Sequence, residues 1–292
     1  MTLPPPDGSR DRRIEDPTNL HLIHPTARRL LPYALRAGIS ANAVSVTGLG
    51  IGLAAAGAFG AWTDWRASVA GLLLAAAWLV ADGLDGMIAR ATGTASPLGR
   101  TLDGLCDHGV FVLIYVAVAL SIGTAQGWAL AVVAGAAHAV QSSLYEGERA
   151  RFHRRVGRAP RPSSTPPSGN MLVRIYDGVA FGIDRLTARF DAALEGPEGA
   201  RLAVDYGERA VAPMRLLALL TANMRVLALF GTCLLGRPEA FWWIEIGPMT
   251  LVAIAGIAWH RRVEARLLRR AHPLHPPRDL GAGAILSKDQ IG

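Results

Sequence analysis

"ADGLDGMIARATGTASPLGRTLDGLCDHG", residues 81–109, is a polar island between two apolar runs, "ASVAGLLLAAAWLV" (67–80) and "VFVLIYVAVALSI" (110–122). It carries Asp82, Asp85, Asp103 and Asp107. If the first run continues as a helix to Ala91, Asp82 and Asp85 are three apart and share a face. If the second helix begins near Gly99, Asp103 and Asp107 are four apart and share one too. Antiparallel packing of these helices across the short linker Thr92–Leu98 brings the four carboxylates together. Four such anions repel. Protonation through raised pKa values relieves the repulsion in one way, and hard divalent cations in another. Carboxylate oxygens suit Mg²⁺ or Mn²⁺ rather than zinc or copper. Two ions balance four carboxylates, and a two-metal site can clamp both sides of a phosphoryl displacement. Gly83, Gly86, Gly99 and Gly104 let backbones or a substrate come close. Arg90, four residues after Gly86, offers a guanidinium to a phosphate.

The rest of the chain explains why such a cluster sits among apolar residues. Of 292 residues 51% are hydrophobic and 18% charged, which favours a membrane protein over a soluble domain. The apolar residues fall in blocks at Ala43–Trp62, Ala67–Ala81, Gly109–Ile122, Trp128–Val140, Ala210–Leu235 and Ala240–Trp259. A span needs roughly 20 mainly apolar residues. The first, fifth and sixth blocks reach that unaided, and the others reach it by extending into polar flanks. The expected fold is therefore all-α, an integral membrane protein of six transmembrane helices. Its membrane domain covers residues 24–262, with a helical insertion at 146–207, a flexible N-terminal arm at 1–23 and a C-terminal tail at 263–292.

The net charge of +7 comes almost wholly from arginine, and Lys288 is the only lysine. With this hydropathy the bilayer, not nucleic acid, is the expected partner. Arginines collect before the first block, between the second and third, between the fourth and fifth, and in the tail. That pattern puts both ends and all four aspartates in the cytoplasm, with the inner membrane of a cell as the expected location. No secretory signal is visible in Met1–Thr26. Cys106 and Cys233 suggest neither a disulfide framework nor a zinc site.

Two flanking segments are amphipathic. "HPTARRLLPYALRA" (24–37) mixes arginines with apolar residues and holds Pro32, so a short or broken interfacial helix is expected. "RAPRPSSTPPSG" (158–169) reads as a proline-rich loop. "MLVRIYDGVAFGIDRLTARFDAAL" (171–194) has apolar residues at helical spacing and reads as a cytosolic helix.

The spacing Asp82-Gly-Leu-Asp85-Gly86-Met-Ile-Ala89-Arg90, with Gly99, Asp103 and Asp107 following, resembles the signature of CDP-alcohol phosphatidyltransferases. The resemblance implies that Asp82, Asp85, Asp103 and Asp107 hold two Mg²⁺ or Mn²⁺ ions, and that Asp107 is also the general base. It implies contacts from Gly86, Arg90, Ser96 and Gly99 to the CDP moiety. "SANAVS" (40–45) is similar to the family's stretch opening the first span, so Ser40, Asn42 and Ser45 are expected to border the nucleotide. Here Ala41 stands for the usual proline and Ser45 for the usual threonine. The implied reaction moves a phosphatidyl group from CDP-diacylglycerol to an alcohol and releases CMP, and the implied assembly is a homodimer. Two alternatives remain open at this point. A CDP-linked small alcohol could be the donor to a lipid hydroxyl, or the acidic cluster could belong to a non-catalytic metal-binding membrane protein.

Arg225 lies inside the fifth block, between Thr221 and Asn223 on one side and "VLALF" on the other. An arginine within a membrane helix usually faces a cavity or a partner. Arg225 is therefore expected to hold the acceptor, joined by Arg149 and Arg154 beyond the fourth block. His108 and His138 are expected to be packed rather than ligating. Glu245 is expected near the outer face, in an aromatic belt with Trp242 and Trp243.

Overall fold

A computed structural model describes residues 11–94, 97–157 and 187–271, with side chains described for all of these except 97–107 and 271. The described residues are helical, with no strands among them. In order the helices are α1 (His24–Arg36), α2 (Ala41–Gly60), α3 (Trp65–Ala91), α4 (Pro97–Ile122), α5 (Ala125–Val156), α6 (Gly199–Arg209), α7 (Val211–Leu217), α8 (Ala222–Leu234), α9 (Glu239–Ile244) and α10 (Thr250–Ala271). Residues 187–195 are also helical.

Local chemistry sets several helix ends. Ser40, Asp64 and Thr124 are N-caps whose side chains accept from the first turns of α2, α3 and α5. The helix carrying Asp82 and Asp85 stops at Gly93, whose φ of +69° is open to glycine at little cost. There Thr94 N donates to Ala89 O at 2.9 Å, closing the end as a Schellman motif.

Three helices among the described residues are long and apolar enough to cross a membrane: Ala41–Gly60, Trp65–Ala91 and Glu239–Arg270. The expected fifth span is not one rod. It breaks into Val211–Leu220 and Ala222–Leu234 with a 47° bend, and counts as a fourth span if the pair crosses together. The break falls at Thr221, which has extended backbone (ψ 155°). Of the expected third span, His108–Ile122 is a shorter apolar helix. The expected fourth belongs to the 32-residue α5, whose last turns are polar.

One core lies between α2, α3, α4, α8 and α9, built on Phe59, Trp78, Phe111, Ile114, Leu229 and Trp242. Helix contact there depends on small residues: a Cβ on Gly71 would meet the Phe59 ring at 2.9 Å. A second core, around Phe152, Phe190, Tyr206, Met214 and Leu217, joins the polar end of α5 to α6, α7 and α10. A third, with Ala27, Ala34, Ala81, Leu84 and Ile88, seats α1 against α3. Of the two forms expected, short or broken, α1 takes the short one, 13 residues with no break at Pro32. α1 runs through it, held by buried Ala27 and Ala34, and Pro32 O still accepts from Arg36 Nε at 3.1 Å.

Residues 1–10 of the expected arm, the proline-rich loop, residues 171–186 of the expected cytosolic helix and the tail from His272 lie outside the described residues. Residues 11–23 are docked. Ile14 joins the second core. Asp16, 2% exposed, accepts from Asn223 Nδ2 at 3.2 Å.

Beside the second core the insertion is fastened by buried charge. Glu148 Oε2 meets His260 Nδ1 at 2.5 Å, and His260 Nε2 lies 2.8 Å from Tyr206 Oη. Arg155 pairs with Asp191 at 2.7 Å and Glu264 at 2.5 Å. Burial opposes ionisation of Glu148, but His260, Arg261 and Arg151 outweigh it and hold its pKa at about 2. A carboxylate depressed in the folded state stabilises fully above its unfolded value, and that contribution is lost as pH falls through the folded one. Stability is thus expected to fall between about pH 4.5 and pH 2 through this group. Glu148→Gln should flatten that part of a melting-temperature profile, and an unchanged acid limb would show that Glu148 does not control it.

Candidate active site

The site forms where the end of α3 meets α1, α5 and the break before α8. Asp82 lies on the wall of a cavity of about 390 Å³. Gly83, His108, Phe111, His138, Tyr145, Arg149, Thr221 and Asn223 share that wall with Asn19 and His24 of the N-terminal region. Gly83 sits against α1 without crowding: a Cβ there would lie 3.7 Å from that of Ala27, an ordinary van der Waals contact.

Asp85, one turn on, is 5% exposed and faces α2, where Ser45 Oγ donates to Oδ2 at 2.5 Å. Ser45 therefore touches an aspartate directly, although only a border to the nucleotide was expected of it. Gly86 and Arg90 follow on the same helix. A Cβ at Gly86 would lie 3.2 Å from Arg90 Nη1, so that guanidinium folds over the glycine. Ser40 caps α2 by accepting from Ala43 N at 3.2 Å, and Asn42 is exposed.

Ser96 and the side chains of Asp103 and Asp107 lie outside the described residues, as does local detail around Gly99. The helical backbone of Pro97–Ile122 carries Gly99, Asp103 and Asp107. No group of three metal-ligating side chains occurs among the described residues. Asp82 and Asp85 offer hard oxygen donors only, which fits Mg²⁺ or Mn²⁺.

The three arginines expected at the acceptor part company. Arg149 lines the cavity, bonded to Glu146 at 2.7 Å with Glu15 at 3.9 Å. Burial opposes its charge, but Glu146, Tyr145 and Glu15 more than compensate and raise its pKa. Arg154 pairs instead with Asp191 at 3.5 Å. Arg225 is fully buried behind the cavity wall. Its Nε donates to Leu220 O at 3.0 Å, Nη2 to Gln141 Oε1 at 3.0 Å, and Nη1 reaches both His138 Nδ1 and Glu245.

Glu245 is fully buried in a π-helical turn, Glu245–Met249, and pairs with Arg225. Hydropathy shows that both residues lie in apolar helices, but a 20-residue separation in sequence does not reveal a pairing. His138, Thr221 and Asn223 were not expected on the cavity. Polar residues inside apolar blocks were the only signal pointing to them.

The sequence matches known proteins over this same region. A family described as CDP-alcohol phosphatidyltransferase matches residues 39–158. A curated protein of Rubrobacter xylanophilus, "Bifunctional IPC transferase and DIPP synthase", is 34% identical over 122 residues. That match covers 42% of this chain and 25% of the relative, so the similarity spans about a quarter of the relative's length. The matched region contains Ser45, Asp82, Asp85, Arg90, Asp103 and Asp107 together with the helices that carry them, and over residues 39–158 the chain is similar to the CDP-alcohol phosphatidyltransferase family.

Proposed function

We propose that the protein transfers a phosphatidyl group from CDP-diacylglycerol to the hydroxyl of a small polar acceptor and releases CMP. One observation carries this reading. On a single helix Asp82 lines a cavity of mixed polar and apolar character, while Asp85, Gly86 and Arg90 of the same helix are outside its lining, all inside the family-matched region. This supports a reading in which a donor side at Asp85, Gly86 and Arg90 and an acceptor side at the cavity would meet at the aspartates.

Held by Asp82, Asp85, Asp103 and Asp107, two Mg²⁺ or Mn²⁺ ions would neutralise the pyrophosphate and the charge on departing CMP. Gly86 admits the pyrophosphate to the surface of α3, and Arg90 pairs with a phosphate oxygen. Ser40, Asn42, Ser45, Ser96 and Gly99 border the cytidine side. Asp107 takes the acceptor's hydroxyl proton. The acceptor oxygen then bonds to the lipid-linked phosphorus, the bond from that phosphorus to the bridging oxygen breaks, and CMP leaves with that oxygen. Arg149 suits an anionic group on the acceptor.

Six spans, with α4 and α5 completing the set, place this chemistry at the inner face of the cell membrane. There the lipid tails stay in the bilayer and the acceptor arrives from the cytoplasm. α1, with exposed Leu30, Tyr33 and Leu35 beside its arginines, lies in the interface.

The test is an acceptor screen. Protein purified in lipid is given Mn²⁺, CDP-diacylglycerol and, in turn, inositol phosphate, glycerol phosphate and serine. CMP and the lipid product are then read by mass spectrometry. The expected result is metal-dependent CMP release with one acceptor class. CMP release only from a CDP-linked small alcohol and diacylglycerol reverses the donor assignment. Manganese binding without turnover on either donor class rejects the enzyme.

A further inference from the structure

We infer that His138 is a substrate-contacting residue, which presents an Nε2–H donor to an oxygen of the acceptor, and that Arg225 and Glu245 position it. This deepens the proposed transfer reaction and rests on it. His138 lies on the cavity wall beside Asp82, while none of Ser40, Asn42, Ser45, Gly86 and Arg90 lines that cavity. The cavity is thus the side of Asp82 away from the expected nucleotide contacts. About 390 Å³ suits a small polar molecule.

The tautomer of His138 follows from its neighbours. Its Nδ1 lies 3.1 Å from Arg225 Nη1 and 3.1 Å from Tyr115 Oη. A guanidinium has only donors, so Nδ1 must accept and carries no proton. Glu245 Oε1, which would draw a proton to Nδ1, is 3.6 Å away, beyond hydrogen-bond length. The ring proton therefore sits on Nε2. Tyr115, Arg225 and Glu245 do not line the cavity, so Nδ1 is taken up away from it, which leaves Nε2 as the ring nitrogen for the open side. Phe111, with ring centroids 4.3 Å apart, holds the imidazole in that plane. Arg225 carries little freedom of its own, since Leu220 O and Gln141 Oε1 fix its other nitrogens. A neutral donor of this kind suits a hydroxyl or phosphate oxygen, and it leaves proton abstraction to the aspartates.

Two measurements on the full chain in lipid nanodiscs test this. In the first, histidine labelled with ¹⁵N is read by NMR, and His138 is assigned by the signal missing from His138→Gln. A protonated Nε2 with a bare Nδ1 is expected. A proton on Nδ1 overturns the inference whatever the activity. In the second, acceptor KM, donor KM and kcat are compared for His138→Phe and His138→Gln with the acceptor found in the screen. Loss of a donor to substrate should raise acceptor KM at least about 10-fold in His138→Phe, with donor KM unchanged. Glutamine, which can place an amide N–H near the Nε2 position, should recover part of the loss. Equal changes in both KM values, or no change in acceptor KM, assign His138 to packing. Failure of wild-type turnover on every acceptor rejects the transfer reaction itself, and with it the acceptor role of His138, while the tautomer is still decided by NMR.

Discussion

Asp85→Asn is expected to lower CMP release by about 10²–10³-fold, because in the proposed reaction it would remove a negative charge that balances cations at the transferring phosphoryl group. A stability measurement separates this role from a structural one. In metal-free protein, Asp85 is a buried carboxylate one turn from Asp82. Neutralising it should leave the melting temperature unchanged or raise it, since like charges repel. Added Mn²⁺ should stabilise the wild type in proportion to ligand occupancy, and the variant much less. Ser45→Ala should give a smaller loss, about 10–100-fold, because the hydroxyl orients the carboxylate rather than replacing it. A variant that melts early without metal yet turns over normally would make Asp85 a packing residue.

The largest expected stability effect lies elsewhere. Arg225→Leu leaves Glu245 buried without its cation, and Glu245→Leu leaves Arg225 buried without its anion. Each should destabilise by about 3–5 kcal/mol, the usual result of stranding one member of a buried pair. The double variant should recover much of that, because an apolar pair of similar size removes both charges at once. Unfolding in bicelles, followed for the four proteins of the cycle, measures the coupling. Additive effects would mean that the ion pair does not hold the helix break. The break itself is costly to leave unsupported. Arg225 bonds Leu220 O one residue before Thr221, and Gln141 Nε2 bonds Glu245 O at 2.9 Å, so side chains satisfy carbonyls in and beside the irregular turns.

The helix that carries Asp82 and Asp85 was legible because its signal is local. Asp82 and Asp85 are set by i,i+3 spacing on one helix, and Gly93 closes that helix where the sequence turns polar. Ser45 was named from its position at the start of α2. Its bond to Asp85 spans 40 residues and needed the α2–α3 contact to appear. The cavity was less legible. Arg149, Arg154 and Arg225 look alike as arginines near apolar helices, yet only Arg149 reaches the cavity. Arg154 is drawn to Asp191, and Arg225 to Glu245. The N-terminal stretch read as an arm because its composition is polar. In the fold Ile14 is buried and Asp16 meets Asn223, which lies on the cavity wall.

Hydropathy and spacing were enough to show that this chain is helical and apolar, and that Asp82, Asp85, Asp103 and Asp107 lie on two successive helices. Hydrophobic periodicity and short-range spacing encode those features directly. Helix packing set which charges line the cavity and which face each other, where the fifth apolar block breaks, and that His138 belongs to the cavity. A buried ion pair is chosen by the desolvation it avoids in three dimensions, and no spacing along the chain records that choice.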